Sequence, residues 1–128
     1  MFEIVSDLNR RNKHVAIKLP QRATKGACTY DIFSPVSVTI PVSCSVIIWT
    51  DVKVKLVDNQ ICVLSMLSSM RENNIVLDNN KGWFDANYYN NECNEGNIGL
   101  NLFNFGRKPY DIKAGDRIAQ AVIVKLWL

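Results

Sequence analysis

Histidine is almost absent from this chain, with His14 the only one. The cysteines Cys28, Cys44, Cys62 and Cys93 are few and far apart, and none forms a C-x-x-C pair. Nothing therefore has the ligand spacing of a zinc site. The thiols read as reduced cysteines of an intracellular protein, with two disulfides in a secreted protein as the alternative. No apolar run approaches the length of a membrane span. Acidic residues at Glu3 and Asp7 interrupt the N-terminus too early for a signal peptide. There is no repeat, no low-complexity stretch and no segment with a convincing helical period. An excess of one charge sign is also lacking. The net charge is +3 and scattered, which is too mild and diffuse for a nucleic-acid surface.

What is present is core-forming sequence. Hydrophobic residues make up 48% of 128 residues, enough for one globular domain spanning 1–128. They come in short runs between turn residues. Strands are expected at 14–19, 27–34, 36–40, 44–49, 52–56, 61–64 and 75–77. Residues 65–74 fit either a short helix or a loop. Residues 83–88 and 98–103 read as two arms of a hairpin, with the polar excursion 89–97 between them. A turn is expected at Asp78–Gly82 and another at Lys113–Asp116, where Gly115 is free to take positive φ. The stretch from Ile118 to Val124 then reads as a buried strand, with Ile118, Ala119, Val122 and Val124 inside. Many short strands with closely spaced turn signals make an all-β sandwich or barrel, and a jelly-roll fits.

A few polar residues break the apolar logic. Gln120 lies in the middle of the last strand, where an unpaired amide would cost about 1–3 kcal/mol. Its simplest role is to satisfy a neighbouring strand. Asp31 closes the strand Ala27–Ser34, as a turn-capping aspartate commonly does. Asp85 and Tyr88 follow a turn at Gly82, and Arg117 could pair with a carboxylate.

Gly115-Asp-Arg-Ile-Ala-Gln120 followed by an apolar strand resembles the fourth motif of the trimeric dUTPase family, whose members split dUTP to dUMP and pyrophosphate. Tyr30-Asp-Ile-Phe-Ser34, preceded by Ala27, resembles the first motif. Gly82-Trp-Phe-Asp-Ala-Asn-Tyr88 resembles the third. The resemblance runs from about Val15 to Leu128. It implies a jelly-roll (β-clip) fold and a homotrimer. It also implies roles for particular residues. Asp31 would organise magnesium near the phosphates, the ion being present only with a bound nucleotide triphosphate. Asp85 would orient and deprotonate the attacking water. Tyr88 would pack under the deoxyribose and leave no room for a 2′-hydroxyl. Asn79 falls where uracil is read, and Ser68 and Gln120 would contact phosphates.

The chain also departs from the family pattern. Tyr89–Asn97 is longer than the Arg-Gly-Glu normally found after the tyrosine, and Glu95-Gly-Asn97 looks like its remnant. Ser68 and Ser69 match the second motif, but Leu67 or Met66 stands where the family has an arginine. A bidentate guanidinium–phosphate contact cannot be made by either. Arg71 could substitute only if the loop is remodelled. The chain ends at Lys125–Leu128, where a closing arm with the fifth motif would begin.

The leading expectation is therefore a catalytically weak or inactive relative, of viral or phage type. It would keep a nucleotide pocket at trimer interfaces and bind a nucleotide or a protein partner. The alternative is an active magnesium-dependent dUTP diphosphatase. A jelly-roll interaction module without a nucleotide is the third reading. No nucleic-acid or membrane partner is expected.

Overall fold

A computed structural model of the chain describes residues 1–79 and 82–128. Its elements run β1 (Phe2–Ile4), β2 (Tyr30–Phe33), β3 (Val38–Ile40), β4 (Ser45–Trp49), β5 (Val52–Val54) and β6 (Gln60–Ser65). They continue with a short helix α1 (Ser68–Glu72), β7 (Ile75–Leu77), β8 (Trp83–Asp85), a 3-10 turn (Ala86–Tyr88), β9 (Gly99–Asn104), β10 (Tyr110–Ile112) and β11 (Arg117–Lys125). The architecture is all-β, of the jelly-roll kind. Among the described residues no helix is long and apolar enough to cross a membrane.

Every strand pair is antiparallel. One sheet has the order β2-β11-β6-β8 and a second the order β4-β9-β7, with β1-β5 and β10-β3 as two-stranded ribbons. Ile32, Ile40, Ile75, Leu100, Leu102 and Ile118 are fully buried between these layers. Gly115 takes φ +94° in the turn that feeds β11, and Asp116 holds the turn by accepting the N–H of Lys113.

β11 explains why its sequence looked buried throughout. The register with β2 slips between Arg117 and Ala119. That irregularity lets two consecutive residues, Ile118 and Ala119, both enter the core. Strict alternation follows, with Ala121 inside and Gln120, Val122 and Val124 on the other face. The expectation that Val122 and Val124 are buried does not hold: Val122 is half-buried and Val124 is 37% exposed.

Other expectations also change. Residues 14–19 form no strand; the segment is extended and docks by side chains, with Ile17 against the core and the Lys18 ammonium over the Phe33 ring. β1 was not foreseen, being too short to show a period, yet it pairs with β5 through Phe2–Val54 and Ile4–Val52. The expected hairpin of 83–88 with 98–103 does not form. β8 pairs with β6, and β9 lies between β4 and β7. Alternation identifies a strand but not its partner. In the Asp78–Gly82 turn, Asn80 and Lys81 lie outside the described residues.

Candidate functional site

β7 ends at Leu77 and β8 begins at Trp83, and the two belong to different sheets. The gap between these sheet ends is a cavity of about 650 Å³. Asn79, Asp85 and Tyr88, named separately from the sequence, all line it. Phe84 and Ile98 give it an apolar wall, and Asn91, Cys93 and Asn94 close one side.

Each polar residue is held by the fold. Asn79 ties the chain after β7 to β9, its Nδ2 donating to Gly99 O at 3.0 Å and its Oδ1 accepting Asn101 N–H at 2.9 Å. Asp85 ends β8 and caps the 3-10 turn, with Oδ1 accepting Asn87 N–H at 3.0 Å. One oxygen thus orients the group, and Oδ2 is the atom a water could use. The Tyr88 ring packs on Phe84 at 5.2 Å between centroids. Its hydroxyl donates to Asn97 O at 2.6 Å and accepts from Asn94 Nδ2 at 3.0 Å.

The segment 89–97 is not a loose excursion. Glu95 accepts Ser6 N–H, Asn9 Nδ2 and Lys53 Nζ at 2.9, 3.0 and 2.7 Å, and the Ser6 hydroxyl as well. Partial burial alone would raise the Glu95 carboxyl, but these hydrogen bonds outweigh it and bring it down to about 2. Asn97 is buried and locks onto Asp51, which is itself buried at the turn between β4 and β5. Asp51 N–H donates to Asn97 Oδ1 and Asn97 Nδ2 donates to Asp51 Oδ1, both at 2.9 Å. Sequence reasoning missed this role. The signal was the density of asparagine, a residue that bonds its own backbone in turns, ahead of Gly96.

The other expected site residues lie elsewhere. Asp31 on β2, Gln120 on β11 and Ser65 on β6 sit side by side in one row. Gln120 Nε2 reaches Met66 O at 3.5 Å, so within one chain it serves the neighbouring strand. Ser68 is exposed at the start of α1. Leu67, at the place expected for a phosphate-binding arginine, is 4% exposed and belongs to the core. Arg71 lines a second hollow beside the first, sharing Leu64 and Asn79 with it.

The two groups share a face but not a place. Asp31, Gln120, Val122, Val124, Ile61, Val63, Trp83 and Asp85 all lie on the same side of the four-stranded sheet by register. Asp31 and Asp85 are at opposite corners of it. Three strand spacings across and four residues along put them roughly 19 Å apart.

A resident metal does not fit these residues. No group of three or more His, Cys, Asp or Glu gathers among the described residues. Asp31 already faces a cation, with Arg117 Nη1 3.4 Å from each carboxylate oxygen. A single carboxylate does suit magnesium that arrives on phosphates, since that ion usually takes only one or two from protein.

The fold is a jelly-roll whose sheet-end pocket combines a largely apolar wall with asparagine amides and the Asp85 carboxylate. The dUTPase family model matches residues 15–127, and the chain belongs to that family. It is 29% identical over 124 residues to the deoxyuridine 5′-triphosphate nucleotidohydrolase of Lactococcus lactis, covering 96% of this chain and 80% of that one. It is 30% identical over 108 residues to the human mitochondrial enzyme, covering 84% of this chain but 40% of that protein. With the putative nucleotidohydrolase of Frog virus 3 it shares 32% over 102 residues, 80% of this chain and 58% of that one. The crystal structure of dUTPase from Streptococcus mutans superposes with a TM-score of 0.84 at 30% identity, covering 99% of this chain and 96% of that one. A Staphylococcus bacteriophage 80alpha dUTPase solved with dUPNHPP shares the fold, with a TM-score of 0.79 at 24% identity over 100% and 83% of the two chains.

Proposed function

We propose that this chain binds a deoxyuridine nucleotide and hydrolyses dUTP weakly or not at all. The observation that carries the reading is the convergence of Asn79, Asp85 and Tyr88 on one pocket. The base would lie against the chain around Asn79, the sugar against the Tyr88 ring, and the α-phosphate near Asp85. Asp85 would then hold a water for attack on that phosphate.

Weak turnover follows from the phosphate side. Phosphoryl chemistry relies on positioned charge, and losing one such contact costs on the order of 10²–10³ in rate. Leu67 supplies no charge and is held in the core. Asp31 would hold magnesium together with the nucleotide's own phosphates. The ion would screen phosphate charge.

The reading includes a homotrimer. One nucleotide cannot use both Asp31 and Asp85 of a single chain across roughly 19 Å. The sheet face between them carries Val63, Val122, Ile61 and Val124, an apolar centre suited to packing against another copy. Such packing would bring the Asp31 corner of one copy to the Asp85 corner of its neighbour.

The test is calorimetry with a non-hydrolysable dUTP analogue, paired with pyrophosphate release from dUTP. Binding with little release supports the reading. Rapid release would favour the full diphosphatase, and absence of binding would remove the nucleotide altogether.

A further inference from the structure

The pocket's sugar-facing residue is gripped from two sides by the segment that follows it. Tyr88 Oη donates to Asn97 O, and Asn97 is anchored through its amide to buried Asp51. With its proton committed there, Oη needs a donor as second partner. Asn94 Nδ2 is that donor. Asn94 is oriented in turn: its Oδ1 accepts Asn91 Nδ2 at 2.8 Å and Gly96 N–H at 3.0 Å. The Gly96 N–H fixes which end of the amide is oxygen. Asn91 closes the loop, its Nδ2 also donating to Tyr88 O at 2.7 Å and its Oδ1 accepting the N–H of Cys93 and Asn94. Gly96 is required where it stands. It has φ +93°, and a Cβ there would meet Tyr88 O at 2.9 Å.

We propose that Asn94 is the positioning residue for sugar specificity, holding the Tyr88 ring so that it cannot yield to a ribose 2′-hydroxyl. A ring rejects a substituent sterically only as firmly as its own rotamer is held. Packing on Phe84 leaves the hydroxyl end free to swing, and the Asn94–Tyr88–Asn97 chain removes that freedom. The proposal rests on the reading of the pocket as a deoxyuridine-nucleotide site.

Three variants test it: Asn94→Asp, Tyr88→Phe and the double variant. Asn94→Asp keeps an acceptor for Asn91 and Gly96 and turns the donor facing Tyr88 into a second acceptor, so the single Tyr88 proton can no longer bond both Asn94 and Asn97. Affinities for non-hydrolysable dUTP and UTP analogues are measured by calorimetry on each protein. The unaltered chain should prefer the deoxyribose analogue by about ten-fold or more. Each single variant should lower that ratio by about three- to ten-fold, chiefly by improving ribose binding, and the double variant should lose no more than either single. An unchanged ratio in Asn94→Asp, or additive losses in the double variant, would overturn the proposal. Should Asn94→Asp fail to fold, a full preference in Tyr88→Phe overturns it equally. If the unaltered chain binds neither analogue, the pocket reading itself falls and the positioning role with it. If it binds but the ratio does not respond, only the positioning role falls.

Discussion

The two corners of the four-stranded sheet are built in opposite ways. At the Asp85 corner, polar side chains are braced: Asp85 on Asn87, Tyr88 on Asn94 and Asn97, Asn79 on β9. At the Asp31 corner the polar groups are held more loosely, with Asp31 facing the half-exposed Arg117. Gln120 is turned to Met66, Ser68 stands in solvent and Leu67 has joined the core. On the proposed reading, base and sugar recognition would be separable from phosphate chemistry. The first needs shape and neutral hydrogen bonds, which the fold itself can fix. The second needs charge, and an apolar side chain in its place cannot be partly effective.

The largest effect expected is at the Asp31 corner. Leu67→Arg would place a guanidinium in the core without a partner and should cost about 3–5 kcal/mol in a denaturant melt. It would therefore not restore phosphate affinity, contrary to what alignment alone suggests. Met66→Arg, at a half-buried position, is the tolerable version of the same experiment. Normal stability together with tighter dUTP-analogue binding in Leu67→Arg would show that this corner can still open.

The sequence made the Asp85 corner legible and the Asp31 corner less so. Asp85, Tyr88 and Asn79 lie within ten residues of one another around a glycine turn, so local spacing nearly determines their geometry. Asp31 and Gln120 meet only through the β2–β11 register. Leu67 could be seen as a missing arginine, but not as a core residue, because that depends on how α1 docks. The braces of Tyr88 were invisible for another reason. Five asparagines between 87 and 97 look like any polar loop until their amide orientations are known. The strands were mostly recognisable from their alternation and turns. The pairing of β8 with β6 instead of β9 was not, since several partners offer equally apolar rows.

The Asp85 corner offers the next largest effect. Tyr88→Ala should erase most of the sugar preference, about ten-fold to a hundred-fold, measured as the ratio of dUTP- to UTP-analogue affinity. Asp85→Asn should leave that ratio and the affinity within about three-fold, and abolish whatever pyrophosphate release remains. A large loss of affinity in Asp85→Asn would mean that Asp85 binds and does not only orient water.

A smaller effect concerns the anchoring of the 89–97 segment. Glu95 has its carboxyl near 2 against an ordinary 4.5, so its ionised form is the one that folding favours. Its contribution is complete above pH about 4.5 and fades as pH falls towards 2. Thermal melts across that window should lose about 5 °C more in the unaltered chain than in Glu95→Gln. Parallel curves would show that Lys53, Ser6 and Asn9 do not act through this charge.

The smallest effect is in the thiols. Burial pushes the Cys62 thiol up to about 12, whereas Cys28, Cys44 and Cys93 are exposed. A chromogenic disulfide at pH 8 should titrate the exposed three quickly and Cys62 only on unfolding. Because Cys93 lines the pocket, a bound dUTP analogue should slow one of the three fast phases. No protection would place the nucleotide away from the 89–97 wall.

The separation of the two corners is tested most directly by calorimetry of dUMP and of the non-hydrolysable dUTP analogue with magnesium, on the same preparation. A corner whose Arg117 is already turned to Asp31, and which has Leu67 in place of a further cation, should gain little from the added phosphates, so the two affinities should agree within about ten-fold. A dUTP analogue that binds a hundred-fold or more tighter than dUMP would show that the phosphates find a full set of partners, and would contradict the account.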